Sequence, residues 1–309
     1  MDSKEKKIRG GLKRGNAAVE EVRVKPEKKT RGKWAEVWRR LKKNKVAVAG
    51  LFLLVFLAIV AVFAPLVAPE GIDDQNYGRI LEPPSGENLL GTDNLGRDVF
   101  SRIIYGSRIS LTIGFITTSI GVVIGGILGS IAGYYGGRID NLIMRFIDII
   151  LAIPGLLLAI ALVSALGPSL TNLMIAVGIA SVPQFARLVR ASVLSTKENE
   201  FIEAAQCLGA SDLHIIVKHI WPNSFAPVLV QATLRMGAAI VVASGLSFLG
   251  LGAEPPTPEW GALLSDGRRF LRDAWWMATF PGVSIMITVL AFNLVGDGLR
   301  DALDPRLKD

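Results

Sequence analysis

Residues 109–135 read ISLTIGFITTSIGVVIGGILGSIAGYY, a run of 27 residues without a charged side chain. A helix of roughly 20 apolar residues is long enough to cross about 30 Å of hydrocarbon. Residues 46–68 form a second uncharged run, of 23 residues. Because half of the 309 residues are also hydrophobic, the sequence predicts an all-α polytopic membrane protein.

The rest of the chain extends this pattern to six transmembrane helices. No charge lies between Asp148 and Arg187, which is too long an interval for one span, and Gly167-Pro168 divides it. The polar residues 69–108 are expected to be extracytoplasmic, and residues 109–300 to form a core of five spans. The expected spans are residues 46–68, 109–135, about 143–166, about 170–194, about 224–250 and about 275–299.

The charge distribution predicts the orientation. Residues 1–45 carry 17 Lys and Arg against 6 Asp and Glu, a balance of +11, and the remainder carries 17 against 21, or −4. A basic tail beside a first span is typical of a cytoplasmic N-terminus, and six spans then place residues 301–309 in the cytoplasm as well. The basic region, residues 1–33, is expected to contact anionic membrane lipid, and its position argues against a nucleic-acid partner.

Residues 34–68 are interpreted as an interfacial helix leading into the first span. Trp34, Val37, Trp38 and Leu41 recur at helical spacing between basic residues, a pattern typical of a helix in the membrane interface. The basic region is too long, and the apolar run after it too extended, for a cleaved signal peptide. Cys207 is the only cysteine, so an internal disulfide is excluded.

Glycines repeat at every fourth residue in the second span. Small residues at this spacing let two helix backbones approach closely. The repeat therefore predicts a tightly packed helix face, either inside the protein or against a partner permease. The glycines are Gly121, Gly125, Gly129 and Gly133, and Gly137 continues the spacing.

Residues 195–222 form a polar loop between the fourth and fifth spans, with a helical pattern of its own. Phe201, Ala204, Ala205 and Leu208 make an apolar stripe, and Gly209 is placed to end the helix in a left-handed conformation. A second short helix is expected from here to the fifth span. The pattern predicts two angled helices that form a docking surface, with candidate residues Glu203, Ala204, Ala205, Gly209, Ser211 or Asp212 as the second cap, and Pro222 as the residue that ends the second helix.

This loop resembles the signature of the integral membrane permeases of binding-protein-dependent ABC importers. That signature is Glu-Ala-Ala, three residues, Gly, nine residues, then Ile-x-Leu-Pro. The chain has Glu203-Ala204-Ala205, Gly209 and Pro222 at the matching spacing, and departs from it with His219 and Trp221. The segment His219-Ile220-Trp221-Pro222-Asn223 is similar to the peptide-type branch, with a Trp substitution.

Three further segments resemble the second permease subunit of the peptide and nickel branch. One precedes the second span, one follows the fifth span, and one lies at the C-terminus. They are Leu90 to Asp98 with Ser101-Arg102 and Arg108; Leu246 to Gly252 with Pro255-Pro256 and Trp260-Gly261; and Asn293, Gly296 to Asp301 and Asp304-Pro305-Arg306.

The resemblance implies a type I ABC importer permease fold and a function without catalysis. A homologous second permease would complete the pathway, two cytoplasmic ABC ATPases would bind the Glu-Ala-Ala loops, and an extracytoplasmic binding protein would deliver di- or oligopeptides. Glu203 would be the polar contact to the ATPase and Gly209 the hinge. The chain lacks the Gly-x-x-x-x-Gly-Lys-Ser/Thr motif, so ATP and Mg²⁺ are expected in the partner ATPases, with no cofactor on this chain. The expected location is the bacterial or archaeal plasma membrane.

A few polar residues fall within or beside the spans. Arg235 lies near the middle of the fifth span, one turn after Gln231, so it is expected to face the translocation pathway or a charge on another subunit. Arg145 and Asp148 are interpreted as an ion pair. His214 and His219, five residues apart, are not expected to share a helix face or to bind a metal.

Three other functions are alternatives to peptide import. Nickel or a nickel chelate is a second substrate class within the same branch. An intramembrane aspartyl protease would use Asp148 and Asp297, but both lie toward the ends of their spans. An ion channel would not account for the docking loop.

Overall fold

The computed structural model describes residues 33–303, with side chains from residue 35 onward. Most of the predicted basic tail, the Trp34 side chain and the C-terminal motif Asp304-Pro305-Arg306 lie outside this range. Residues 33–303 contain no β-strand, only an isolated bridge between Thr92 and Asp98. The helices are α1 (Lys33–Leu41), α2 (Lys45–Val62), α3 (Ala64–Val67), α4 (Val99–Tyr135), α5 (Gly137–Leu151), α6 (Gly155–Leu166), α7 (Leu170–Lys197), α8 (Glu200–Cys207), α9 (Asp212–His214), α10 (Trp221–Phe248), α11 (Trp260–Gly267) and α12 (Trp276–Leu303), with a π-helix at Ile215–Ile220 and 3-10 turns at Tyr77–Arg79 and Arg268–Phe270.

Within residues 33–303, five helices are long and apolar enough to cross a membrane: α2, α4, α7, the continuous helix from Asp212 to Phe248, and α12. The amphipathic helix α1 packs on the end of α12, where Leu41 and Ala47 contact Ala302. The predicted all-helical, polytopic architecture is therefore confirmed.

The third predicted span differs from expectation, because it is two helices rather than one. Helices α5 and α6 meet at an angle of 86° across a short break, and only as a bent pair do they make a sixth span. The break lies at Pro154, which has no backbone N–H and disfavours helical geometry in the preceding residue. The predicted third span, about 143–166, is therefore a bent pair of helices rather than one continuous helix.

Helix α4 is longer than the uncharged run that predicts it. Asp98 caps its first turn by accepting a hydrogen bond from the Ser101 N–H at 2.7 Å. Its 37 residues extend to about 55 Å, so α4 projects beyond a hydrocarbon core of about 30 Å. The last ten residues of the predicted extracytoplasmic stretch therefore belong to this helix.

The polar segment before α4 is anchored by buried charges. Asp93 accepts hydrogen bonds from Arg97 Nε at 2.6 Å and from Arg102 at 3.1 Å, and all three side chains are buried. The indole N–H of Trp276 bonds the Thr92 carbonyl at 3.0 Å, which fixes the segment to the start of α12. Asp266 lies in the same region, on α11, and burial raises the pKa of its carboxyl while nearby Arg97 acts in the opposite direction.

One acidic side chain in this region, Glu259, is fully buried. Its carboxylate accepts hydrogen bonds from Ser244 Oγ at 3.2 Å and from the Ala262 N–H at 2.9 Å. Glu259 thus caps α11 and joins it to α10, because a buried carboxylate needs donors to replace water.

The glycine-rich face of α4 packs on α7 within the chain, and these two helices form the most extensive helix pair. A Cβ atom added at Gly125 would lie 2.7 Å from the Val182 carbonyl, and one added at Gly133 would lie 2.8 Å from Val193 Cβ. Gly121 and Gly129 face the same helix, against Ser181 and Ala186 respectively. The sequence left open whether this face packs inside the protein or against a partner permease, and the geometry matches packing inside the protein. The four glycines that face α7 are here called the glycine seam. Gly137, whose φ is positive, lies outside it, and a Cβ atom added there would meet no other atom within 4 Å.

Candidate functional site

The segment between α7 and α10 is here called the Glu203 loop and comprises residues 198–220. Its helix α8 is attached to the bundle by Ile202, which is 1% exposed and packs in a cluster with Val189, Val193 and Ile215. Ala205 packs against the same cluster. Of the predicted apolar stripe, Phe201, Ala204, Ala205 and Leu208, only Ala205 packs against this cluster.

The other members of the stripe point outward. Phe201 is 44% exposed and Leu208 is 88% exposed, and Glu203 and Ala204 are exposed beside them. The second half of the loop extends this surface with two large apolar side chains, Leu213 and Val217, at 72% and 59% exposure. The loop thus presents an acidic and apolar surface at one end of the bundle.

Gly209 ends α8 in the predicted manner. Its φ is +79°, a left-handed conformation that favours glycine. The Ala210 N–H bonds the Ala205 carbonyl at 3.1 Å, and the Gly209 N–H bonds the Gln206 carbonyl at 2.9 Å. These are the two hydrogen bonds of a Schellman motif, which reverses the chain direction after the helix.

The start of α9 is attached to the second span by side chains. The hydroxyl of Tyr134, at the end of α4, donates to Asp212 Oδ1 at 2.8 Å. Lys197, at the end of α7, donates to the Tyr134 carbonyl at 2.6 Å and lies over its ring. Ser211 occupies the N-cap position without a side-chain cap hydrogen bond. Asp212 therefore connects the loop to the α4–α7 pair.

Pro222 does not end the second helix of the loop, so this prediction is wrong. The chain stays helical from Asp212 to Phe248 through the π-helix at residues 215–220. Pro222 lies in the first turn of α10, where its missing N–H is tolerated. The wider turn ends with the Trp221 N–H bonded to the Ile216 carbonyl, immediately before the proline.

The same π-helix brings the two histidines together. His214 and His219 have ring centroids 5.7 Å apart, because residues five apart share a face in a π-helix but not in an α-helix. The expectation that they lie on different faces is therefore wrong. Among the residues with described side chains there is no group of three or more His, Cys, Asp or Glu side chains that could hold a metal ion.

A cavity of about 190 Å³ lies between the spans, well removed from the loop in sequence. Its walls come from α4, α7 and α10, and Gly155 and Leu156 contribute from the start of α6, just after the bend at Pro154. The bend in the third span therefore helps to form the cavity. The remaining lining residues are Thr117, Thr118, Val177, Ala180, Ser181, Gln184, Arg235, Ala238, Ala239 and Val242.

Arg235 is the one charged residue of this lining. It lies in the middle of α10, fourteen residues after Trp221 and thirteen before Phe248. Within residues 35–303 its guanidinium has no ion pair or hydrogen bond to another side chain. Gln231, predicted beside it as a pathway residue, does not line the cavity.

Two polar atoms of the cavity lining are also unsatisfied. Thr118 is 2% exposed and its Oγ1 has no hydrogen-bond partner. The buried Gln184 Oε1 likewise has none. Thr117 and Ser181, in contrast, donate to carbonyls of their own helices at 2.7 Å. The residues that line the cavity thus include one cation, one unpartnered hydroxyl and one unpartnered carbonyl oxygen.

The predicted ion pair between Arg145 and Asp148 is not formed. Asp148 instead accepts from Arg187 on α7 at 2.5 Å, and Arg145 is exposed. A second pair joins the same two helices, because Arg190 donates twice to Asp140, at 2.5 and 2.6 Å. The protease alternative would use Asp148 and Asp297. Asp148 is ion-paired with Arg187, and Asp297 is exposed on α12.

Several residues that organise the loop and the cavity were missed in the sequence. Ile202, Tyr134 and Thr118 carry no motif of their own, and their roles depend on contacts between distant helices. Pro154 did carry a signal, because a proline inside an uncharged run commonly marks a break.

Comparison with known proteins relates this arrangement to a transport family. Residues 121–309 match the family described as binding-protein-dependent transport system inner membrane component. Residues 32–84 match the N-terminal TM domain of oligopeptide transport permease C.

Curated relatives align over nearly the full chain. The dipeptide transport system permease protein DppC of Alkalihalophilus pseudofirmus is 52% identical over 275 residues, 89% of this chain and 90% of the relative. The glutathione transport system permease protein GsiD of Pectobacterium atrosepticum is 49% identical over 284 residues, 91% of this chain and 94% of the relative.

A solved structure shares the fold at low sequence identity. A chain of the MetNI methionine ABC transporter, crystallised in inward-facing conformations, superposes with a TM-score of 0.54 at 19% identity. The match covers 66% of this chain and 98% of that chain.

Proposed function

Starting from the fact that this chain belongs to the family of binding-protein-dependent transport system inner membrane components, we propose that it is the second permease subunit of a di- or oligopeptide importer. The match of residues 32–84 to an oligopeptide permease C domain supports the assignment of subunit type. The names of the two relatives, for dipeptide and glutathione transport, support a short peptide as substrate.

The single observation that carries the coupling role is the outward surface of the Glu203 loop. Helix α8 is held by Ile202 while Glu203, Ala204 and Leu208 remain exposed. In this proposal a cytoplasmic ABC ATPase covers that surface, Glu203 is its polar contact, and Gly209 sets the angle between α8 and the following helix. A homologous second permease would bind another ATPase in the same way, and ATP and Mg²⁺ would be held by the ATPases.

The proposal includes a location and an orientation. The chain would lie in the bacterial or archaeal plasma membrane with the Glu203 loop and both termini in the cytoplasm. Helix α4 would then place residues 70–98 on the opposite side, because its start contacts that segment and its end contacts Asp212. An extracytoplasmic binding protein would deliver the peptide there.

The test is co-purification of the chain from native membranes in mild detergent, with the associated proteins identified by mass spectrometry. Wild type should bring a second permease and P-loop ATPases. Glu203→Lys should lose the ATPases and keep the second permease, because a reversed charge at a docked surface is strongly unfavourable. Glu87→Lys is the matched control, since Glu87 is also exposed but lies in the segment before α4.

Cys207 gives a second, independent readout. It is the only cysteine of the chain and is exposed on α8. Its alkylation rate should fall at least about tenfold when the ATPases are bound, as expected for a site covered by a partner. Equal alkylation rates with and without ATPases, together with ATPase retention by Glu203→Lys, would contradict the coupling role.

A further inference from the structure

We propose that the cavity around Arg235 binds the free carboxylate of a transported peptide, with Thr118 donating a hydrogen bond to the carboxylate and Gln184 accepting one from a peptide N–H. This inference rests on the proposed function as a peptide importer. It adds the chemical group that the membrane-embedded part of the chain recognises.

The first step is the charge. A cation midway along a membrane-spanning helix is unfavourable unless it faces water or a counterion. Arg235 lines the cavity, and no acidic residue is among the residues that line it. A guanidinium binds carboxylates in a planar, two-pronged geometry, so an anion carried by the substrate is the partner that this side chain fits.

The second step is the unsatisfied hydroxyl. A buried polar atom without a hydrogen bond is rare in proteins and indicates a missing partner. The Thr118 side chain is 2% exposed, lines the same cavity and has an unpartnered Oγ1. The neighbouring Thr117 hydroxyl already donates to the Ile113 carbonyl, so Thr118 is the free donor of that turn.

The third step is the hydrogen-bond acceptor on Gln184, which complements the donor on Thr118. Its Oε1 is buried and unpartnered, and a carbonyl oxygen can only accept. A ligand that satisfies the whole site must therefore present an anion and an N–H donor together. The end of a peptide that carries a free carboxylate has both groups.

The size and the charge exclude one alternative ligand. A cavity of about 190 Å³ is comparable to one of about 150 Å³ that holds a benzene molecule, so it accommodates the end of a peptide rather than its length. A bare divalent cation would be repelled by Arg235, because the only charge of the lining is positive. The geometry thus favours a peptide over a free metal ion.

The experiment uses the complete importer in proteoliposomes, with a dipeptide and the same dipeptide amidated at its C-terminus. Both are supplied at concentrations that saturate the separately purified binding protein. Wild type should import the carboxylate form faster. Arg235→Gln should lower its uptake by about tenfold or more while changing uptake of the amide by less than about twofold, since a hydrogen bond to a charged group is lost.

Three variants make the result specific. Arg235→Lys should keep the preference for the carboxylate, because it retains the charge. Thr118→Val should weaken that preference with little change in shape. Thr233→Val is the control, since Thr233 is on the same helix, does not line the cavity and bonds its own backbone at 2.9 Å; its uptake should match wild type.

A second measurement avoids the binding protein altogether. The thermal midpoint of the purified complex should rise with the dipeptide more than with its amide, and Arg235→Gln should abolish the difference. Equal loss of both peptides in Arg235→Gln, or loss of the second permease from that variant, would overturn the inference in favour of a structural role. If wild type shows no ATP-dependent uptake of either peptide, the proposed function itself fails.

Discussion

Replacing Gly125 by alanine should separate α4 from α7 and destabilise the protein. The new Cβ would lie 2.7 Å from both the Val182 carbonyl oxygen and Phe185 Cβ, and 2.9 Å from the Ala186 backbone nitrogen. Ordinary van der Waals contact begins at 3.4 Å, so the helices must move apart by 3.4 − 2.7 = 0.7 Å. No change of rotamer relieves these contacts, because each involves backbone or Cβ atoms.

The size of the effect follows from two opposing terms. Forcing extra volume into a packed interface costs about 1–3 kcal/mol. Alanine in place of glycine in a helix returns about 1 kcal/mol through backbone entropy. The net destabilisation should therefore be up to about 2 kcal/mol, which lowers the thermal midpoint by up to several degrees.

The assay is thermal unfolding of the detergent-purified protein, with Gly245→Ala as the matched control. Gly245 also lies within a span, on α10, but a Cβ there meets no atom within 4 Å. The control should have an unchanged or slightly higher midpoint. If the two variants unfold at the same temperature, the close approach of α4 and α7 is not what these glycines provide.

Three further changes test the loop and the segment before α4. Tyr134→Phe removes the phenol that bonds the start of α9 and should cost about 1.5–3 kcal/mol of local stability, seen as faster amide hydrogen exchange in the Glu203 loop, with Tyr135→Phe as the exposed control. Ile202→Ala should cost about 2–5 kcal/mol and release α8 to proteolysis, whereas Phe201→Ala, at an exposed position, should not. The pKa of Asp266 is higher in the folded state than in the unfolded state, so the protonated carboxyl contributes its full stability at pH values below the unfolded-state pKa. This contribution is lost as the pH rises through the folded-state pKa. Wild type should therefore lose thermal stability relative to Asp266→Asn as the pH is raised from acidic to neutral.

The sequence predicts the placement of most of the spans well because hydrocarbon thickness sets a length that charge-free runs reveal. Residues 109–135 lie within α4 and residues 170–194 within α7. The left-handed conformation of Gly209 is likewise predictable, because the end of a helix at a glycine depends on neighbouring residues and not on contacts with distant helices.

The differences arise where backbone geometry departs from the ideal helix. The predicted third span ignored Pro154, and the separation of His214 from His219 assumed 3.6 residues per turn where the chain forms a π-helix. The burial of Glu259 depends on Ser244, which is on another helix. A hydropathy pattern contains none of these contacts.

The connection between the loop and the cavity follows from which helices build both. Helices α4 and α7 end at the Glu203 loop, α10 begins there, and all three contribute walls to the cavity around Arg235. The glycine seam keeps α4 and α7 in contact over residues 121–133 of α4, and Tyr134 joins their ends to Asp212. Packed helices move as rigid bodies rather than deforming continuously, so a displacement of the loop would be transmitted to these walls. A partner that binds the loop differently in two states would thereby change the surroundings of Arg235 without contacting it.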